Sequence, residues 1–443
     1  MQTVGPLVGF YGDDFTGSSE NLAQYHRSGL KTRLFLKVPS ADELKEATSG
    51  LDVVGFAGTA RALSNREIMG EVTPAFDALR ELGCRFLQYK ICSTFDSAPD
   101  VGNFGYVAER VMREGESLAV LAATPDFGRY TAFGNHYARF GKDILRLDRH
   151  PSMSNHPRTP MAEADLREHL RSLCGLPFVN VTLPELRNPT LLAERLATAA
   201  VRGEGTIFDG VDNEDLEVVS GALWDSLQSR PVFALAAQGL AQLLGKHMAR
   251  DRSAADLVAV STTVSAAKNL LVLSGSCAIQ TGRQIEVAER QGWALLEVDP
   301  TQLRDDRDVA RQVETVKPVI VANIAKGRPT VVYTARGHEM DRTRFEDVPP
   351  HLIGACYARL MIEARKEADV QRIVLAGGDS SSYAMRSSDA ASLTIKVFDG
   401  EQHGHLCELM GGGLDGLEVL LKGGQVGDDD YLLRMLSGTE TRK

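Results

Sequence analysis

Leu7-Val8-Gly9-Phe10-Tyr11-Gly12-Asp13-Asp14-Phe15-Thr16-Gly17 is the stretch from which the fold can be read. An apolar run ends at Gly12, two carboxylates follow, and a helical pattern carrying Leu22 and Ala23 continues to Gly29, which reads as strand, tight turn and helix. In an open parallel sheet the carboxyl ends of the strands face the ligand crevice, so Asp13 and Asp14 are expected where a substrate binds. One carboxylate can instead cap the helix, where its charge meets the positive end of the dipole at a gain of about 0.3–1 kcal/mol. A cap needs only one acid.

The chain has 443 residues, more than one hydrophobic core usually supports, so two domains are expected. With 43% apolar and 24% charged residues the composition is that of an ordinary globular protein. A formal charge of −10 argues against a general affinity for nucleic acid or an anionic membrane, both of which call for a basic face. No apolar run reaches membrane-spanning length, and the opening residues lack the basic and apolar regions of a signal peptide, so a cytoplasmic location is expected. Six scattered cysteines without a C-x-x-C pair fit reduced thiols. The ligand-like run His403-Gly404-His405-Leu406-Cys407 has no second cluster to complete a metal site.

Apolar segments at 51–57, 85–91, 118–123, 177–181, 206–208 and 231–234 alternate with helical patterns such as 67–82 and 101–113. This is the rhythm of βα units and a mainly parallel sheet. Residues 128–160, rich in Arg, His, Asn and Pro, interrupt it and read as a long loop or irregular insertion rather than a sheet layer; loops of that length are usually functional or disordered. A second alternating series runs through 269–273, 294–298, 330–333, 372–376, 393–397 and 417–421. The expected fold is therefore α/β with two domains, each a mainly parallel β-sheet flanked by helices: 1–250, a connecting segment 251–268, and 269–443.

Several turns carry chemistry. Tyr89-Lys90-Ile91-Cys92-Ser93-Thr94-Phe95-Asp96-Ser97 places a cation, hydroxyls and a carboxylate after a strand, a set suited to an anionic polyhydroxy ligand. Arg61, after the second strand, offers either a planar fork to a carboxylate or an ordinary surface charge. Asn155-His156-Pro157-Arg158-Thr159-Pro160-Met161 reads as a rigid polar turn. In the second half, Ser274-Gly275-Ser276-Cys277 and Gly377-Gly378-Asp379-Ser380-Ser381-Ser382 each follow an apolar strand and precede a helix, an arrangement whose free backbone N–H groups and small side chains admit phosphate; the alternative is a turn that needs flexible residues. Leu421-Lys422-Gly423-Gly424-Gln425-Val426-Gly427 adds a third such turn. A formal G-x-G-x-x-G at Gly411, Gly413 and Gly416 precedes a strand instead of following one, which disfavours a dinucleotide fold and an oxidoreductase.

With these residues assembled, the sequence resembles the four-carbon acid sugar kinase family over nearly its whole length. The carriers, in one order, are Asp13-Asp14-Phe15-Thr16-Gly17, Tyr89-Lys90 with Cys92-Ser93-Thr94-Phe95-Asp96, Gly102-Asn103-Phe104-Gly105, Asn155-His156-Pro157 with Thr159-Pro160-Met161, Ser274-Gly275-Ser276-Cys277, Gly377-Gly378-Asp379 and Lys422-Gly423-Gly424-Gln425-Val426-Gly427. The resemblance implies an N-terminal domain that binds a four-carbon sugar acid such as a threonate, erythronate or 3-oxo-tetronate, and a C-terminal domain that binds ATP. On that pattern Asp13, Asp14, Arg61, Lys90, Ser93 and Thr94 line the acid-sugar side, with Asp96 and His156 as further candidates. Ser274, Gly275, Ser276, Gly377, Gly378, Asp379, Ser380, Gly423 and Gly424 line the nucleotide side. Two departures stand out: Ser380 and Ser382 replace the family's usual Thr and final Gly, and Ser382 would clash if its position requires a positive φ. The turn through 97–101 is also longer than usual, and 129–149 is unusually basic.

The resulting expectation is ATP-dependent phosphorylation of a hydroxyl on a small sugar acid, chemistry that asks a protein for alignment and charge neutralisation. Asp14 is expected to accept or orient the hydroxyl proton, with Asp13 as alternate, while Lys90 and Arg61 hold the substrate carboxylate. Mg²⁺ is expected on the ATP phosphates, held mainly by water and by Asp379. A homodimer is left open. The competing reading is a noncatalytic sugar-acid or nucleotide sensor of the same shape, which Ser382 favours.

Overall fold

The computed structural model describes residues 5–156, 158–250, 252–337, 348–400 and 404–439; Pro157 and His403, quoted above, lie outside the described residues. The chain divides into two compact units, Met1–Arg33 with Val38–Val258, and Leu34–Lys37 with Ala259–Lys443. The stretch read above as a connector is shared between them. Val258 N donates to Gly29 O at 2.7 Å in the first unit, whereas Ser261 O and Ala267 N bond Phe398 N and Leu436 O, each at 2.8 Å, in the second.

In the first unit seven parallel strands lie in the order Val53–Ala57, Val8–Gly12, Phe86–Lys90, Val232–Ala236, Ser117–Leu121, Gly205–Phe208 and Phe178–Val181. The central strands are buried along their whole length, as strands covered on both faces must be, which is why they appear in the sequence as unbroken apolar runs. Helices make the crossovers. In Asn65–Glu81 a Ser64–Glu67 capping box starts the helix, and Ile68, Val72, Ala75, Phe76 and Leu79 form the buried stripe. Helix Phe15–His26 is pinned to the sheet by a buried reciprocal amide pair, Asn21 with Gln88, both bonds 3.1 Å.

Residues 129–146 correct the expected irregular insertion. They form a three-stranded antiparallel sheet of Arg129–Ala132, Asn135–Phe140 and Asp143–Arg146. Its first connection is a two-residue hairpin turn with positive φ at Phe133 (50°) and Gly134 (77°). Such turns usually announce themselves by Asn-Gly or Asp-Gly, and a phenylalanine there hides the signal. The buried carboxylate of Asp209 holds the turn instead, accepting from Phe133 N at 2.7 Å and Gly134 N at 2.9 Å.

The second unit has the order Ala294–Glu297, Thr330–Tyr333, Leu270–Ser274, Arg372–Ala376, Glu418–Lys422, Leu406–Met410 and Ser392–Val397. The first five are parallel, the rest antiparallel, and Leu34 and Phe35 add a further antiparallel pairing against Ser392–Val397. The His405-Leu406-Cys407 run is strand edge and strand rather than ligand loop: His405 stacks on Phe398 at 4.8 Å and Cys407 is buried. The G-x-G-x-x-G glycines form the connection between the antiparallel strands Leu406–Met410 and Glu418–Lys422. Among the described residues, no helix is long and apolar enough to cross a membrane, and no disulfide joins the cysteines.

Arg372, wholly buried, ties this unit together. Its Nε and Nη2 reach Glu418 Oε2 at 2.8 and 2.6 Å, and its Nη1 donates to Ser265 O at 3.0 Å and Met435 O at 2.5 Å. Removing Arg372 leaves the buried Glu418 carboxylate to Lys396 Nζ, 2.9 Å from its Oε1, and losing one partner of a buried pair costs about 3–5 kcal/mol. Arg372→Met is therefore expected to destabilise the second unit by about that amount in urea unfolding, and the double variant with Glu418→Leu to recover most of it.

Candidate active site

The carboxyl ends of neighbouring parallel strands bring Asp13, Arg61 and Lys90 together although 77 positions separate the first from the last. Asp13 is 2% exposed, and the Arg61 guanidinium grips it edge-on, Nε to Oδ2 at 3.2 Å and Nη2 to Oδ1 at 2.8 Å. The same Nη2 lies 3.1 Å from Asp14 Oδ1. Burial pushes the Asp13 carboxyl up against the pull of Arg61, and Asp14 adds to that push. Burial opposes the Arg61 charge too, but Asp13 and Asp14 outweigh it and raise its pKa. Asp14 is the cap of helix Phe15–His26, its Oδ1 accepting from Gly17 N at 2.9 Å. Both readings of the acidic pair thus hold at once: one oxygen caps, and Oδ2 has no partner among the described residues. Lys90 is 3% exposed and makes no side-chain hydrogen bond or ion pair among the described residues. A Cβ at Gly17 would collide with both Lys90 Nζ and Asp14 Oδ1, so the ammonium sits over the first turn of the helix and only glycine leaves it room.

The turn after Lys90 is internally bonded. Thr94 Oγ1 donates to Asp96 Oδ1 at 2.5 Å and lies 3.0 Å from Cys92 Sγ, whose thiol burial pushes up, while Phe95 takes a φ of 59°. Ser93 meets the three-stranded sheet through its carbonyl, which accepts from His136 Nε2 at 2.8 Å. With its Nε2 donating, His136 must accept at Nδ1, and Thr131 Oγ1 is there at 2.9 Å. His136 and Arg129 are residues that the sequence did not single out individually, because strand-borne polar groups with long-range partners leave no local pattern. His156 stands apart: its Nδ1 accepts from Thr159 N at 3.1 Å and lies 2.8 Å from Thr159 Oγ1, closing its own turn. Among the described residues no hydrogen bond joins it to the Asp13–Lys90 group.

In the second unit, strands Leu270–Ser274, Arg372–Ala376 and Glu418–Lys422 are adjacent, so their small-residue turns share one edge. Gly275 N donates to Ala376 O at 2.9 Å and Gly377 N to Lys422 O at 3.0 Å. A Cβ at Gly275 or at Gly377 (φ 114°) would fall 2.5 or 2.7 Å from Ser380 Oγ, and one at Gly424 would fall 2.6 Å from Ser276 Oγ. Lys422, buried, donates to Thr281 Oγ1 at 3.0 Å and to the Gly423 carbonyl at 3.2 Å, and burial pulls its pKa down to about 7. Thr281 Oγ1 in turn donates to Gly424 O at 2.7 Å. Ser274 is fully buried beneath the turns, and its Oγ has no hydrogen-bond partner among the described residues. Gly378 opens helix Gly378–Ser387 and a Cβ there would meet nothing within 4 Å, so the helix N-terminus faces open space. Asp379 is exposed in its first turn. Ser382 corrects the expected strain: it lies inside the helix with Oγ donating to Gly378 O at 2.8 Å, and the position does not require a positive φ.

Residues 8–244 match the family model of a sugar-binding N-terminal domain, and residues 271–432 match that of a nucleotide-binding C-terminal domain. A 3-oxo-isoapionate kinase of Paraburkholderia graminis is 31% identical over 97% of this chain and 93% of its own length, and a 3-oxo-tetronate kinase of Pseudomonas fluorescens is 30% identical over 97% and 96%. A solved Haemophilus influenzae protein shares the fold, with a TM-score of 0.70 at 21% identity, covering 96% of this chain and 98% of that one. The chain belongs to the four-carbon acid sugar kinase family.

The buried histidines make the first unit sensitive to acid. Burial pulls His136 and His169 from 6.5 down to about 4, so the folded state keeps them neutral while the unfolded chain takes up protons below 6.5. Their contribution is present in full above pH 6.5 and is lost as pH falls toward 4, each adding a slope approaching about 1.4 kcal/mol per pH unit. Urea melts across that window are expected to show stability falling with acid, with a shallower slope in His136→Gln.

Proposed function

We propose that this kinase transfers the terminal phosphoryl group of ATP to a hydroxyl of a small 3-oxo sugar acid, of the 3-oxo-tetronate or 3-oxo-isoapionate type. Use of ATP follows from the nucleotide-binding domain and the kinase relatives. The relatives' substrates favour a 3-oxo acid over plain threonate or erythronate. The observation that carries the chemistry is the division of labour between the paired acids. Asp13 spends both oxygens on Arg61, whereas Asp14 keeps Oδ2 open at a strand's carboxyl end. Asp14 is then the group that accepts the hydroxyl proton, and Asp13 with Arg61 holds it in position. Arg61, engaged edge-on by Asp13, serves the acids rather than the substrate. Lys90 supplies the free positive charge beside them.

On the nucleotide side, the N–H groups of Gly378, Asp379 and Ser380 precede the first intrahelical bond, Ser381 N to Gly377 O at 3.0 Å, and are the donors for phosphate. Glycines 275, 377 and 424 let the three turns close on one another, since a Cβ at any of them would run into Ser380 or Ser276. The donor set suits a Mg²⁺ that keeps mostly water and phosphate oxygens: among the described residues no three His, Cys, Asp or Glu gather into a cage, and Asp379 is the one carboxylate we assign to it. Mg²⁺ supplies charge neutralisation to the transferring group.

Asparagine caps a helix as well as aspartate does, so Asp14→Asn should fold normally. It is expected to lower kcat by about 10²- to 10⁴-fold in a coupled ADP-release assay, with ATP affinity by calorimetry within a few-fold of wild type. Gly378→Val, whose Cβ would meet no protein atom within 4 Å, is expected instead to abolish ATP binding. Wild-type turnover in Asp14→Asn would remove that residue from the role, and a panel of 3-oxo sugar acids giving no ADP would reject the activity.

A further inference from the structure

Two arginines reach the substrate turn of the first unit, and they are in opposite states. Arg61 has its Nε–Nη2 edge closed on Asp13. Arg129, at the start of the three-stranded sheet, uses only Nη1, which donates to Phe127 O at 2.8 Å and Gly128 O at 3.3 Å. Its Nε is buried without a hydrogen-bond partner, and among the described residues no carboxylate lies within ion-pair distance of the guanidinium. A buried N–H without an acceptor costs free energy that a bound acceptor recovers.

The direction of this side chain follows from the strand. Thr131 faces the 92–97 turn, because its Oγ1 meets His136, which donates to Ser93 O. Residues two apart on a strand share a face, so Arg129 is on the same side. Its backbone is fastened by two bonds to Thr124, Thr124 N to Arg129 O at 3.0 Å and Arg129 N to Thr124 O at 3.1 Å, just beyond the carboxyl end of Ser117–Leu121. Cys92 and Asp96 are near enough to couple to it electrostatically, and burial lowers its pKa. Asp96 takes a hydrogen bond from Thr94. Lys90 couples electrostatically to the same Cys92 and has no ion-pair partner among the described residues.

We infer that the unpaired Nε–Nη2 edge of Arg129, together with Lys90 Nζ, is the receptor for the carboxylate of the sugar acid, so that the three-stranded sheet is the element that reads the acid. A planar guanidinium edge matches a carboxylate with two parallel bonds, and the fixed ammonium adds a point charge. Asp14 is left to the hydroxyl that reacts. This assignment rests on the sugar-acid reading of the site and deepens it.

The test uses the full chain, with 3-oxo-tetronate and 3-oxo-isoapionate as probes. Binding is followed by calorimetry without ATP, and kinetics by ADP release. Arg129→Gln is expected to raise the Kd and KM for the acid by about 10- to 100-fold, with kcat and the KM for ATP changed less than about three-fold. Arg129→Lys should recover part of the loss, and Arg129→Gln with Lys90→Gln should lose less than the product of the two single losses, since both grip one group. A role confined to holding the Phe127–Gly128 turn would move melting temperature and kcat instead. If the wild type binds the acid and Arg129→Gln binds it equally well, the receptor assignment fails while the sugar-acid reading stands. If the wild type neither binds nor phosphorylates either acid, both fail together.

Discussion

One guanidinium answering two neighbouring carboxylates is the constraint on which the carboxyl edge of the first unit's sheet depends. Asp13 is buried at the end of a central strand, and a buried carboxylate costs several kcal/mol unless it is paired and hydrogen-bonded. Arg61 provides both, and its backbone N–H closes on the Asp13 carbonyl at 3.2 Å, so the loop that brings the arginine is fastened to the acid it serves. Next to it, Gly58 N bonds Gly12 O at 2.9 Å, and a Cβ at Gly58 would collide with the Tyr11 hydroxyl. That hydroxyl donates to Glu71 at 2.7 Å, as does Thr59 N. The acids therefore stand on a rigid frame, which is what the role proposed for Asp14 toward a substrate hydroxyl requires.

The second unit achieves its rigidity with small residues in place of charges. Three turns on neighbouring strands interlock through backbone bonds, with Ser380 filling the space that side chains at positions 275 and 377 would otherwise occupy. Lys422 pins the third turn from below through Thr281 and the Gly423 carbonyl. At the start of helix Gly378–Ser387 main chain points outward beside the exposed Asp379, and main-chain N–H groups at a helix start favour phosphate whatever is attached to it. The glycines are thus matters of distance as much as of backbone freedom; in the three turns Gly377, at φ 114°, and Gly427, at 82°, have conformations that themselves call for glycine.

The parallel architecture was legible because strands covered on both faces must be apolar throughout, and because each run ends in turn-forming and polar residues. The acidic pair, the Lys90 turn and the three Gly/Ser turns were legible for the same reason: they follow strands at positions where a parallel sheet presents its ligands. The three-stranded sheet was not. Its strands are four to six residues long, with exposed Phe140 and Ile144 at its outer end and a hairpin turn whose first residue is phenylalanine, so neither period nor turn chemistry identified it. The His-x-His-x-Cys run, for which the sequence offered no second cluster, has Leu406 and Cys407 in a strand, and spacing alone does not tell a ligand loop from a strand.

From its sequence alone this protein is settled as two α/β domains with an acid-bearing turn in the first and Gly/Ser-rich turns after strands in the second, because burial and turn geometry act over a few residues and leave a local record. Which charge answers which was decided only by the tertiary structure. Arg61 belongs to Asp13 across 48 positions, Asp209 to the Phe133–Gly134 turn across 76 and 75, and His136 to the Ser93 carbonyl across 43. Ion pairs and hydrogen bonds form between groups a few ångströms apart in space, and separation along the chain carries almost no information about that distance once the backbone has folded back on itself.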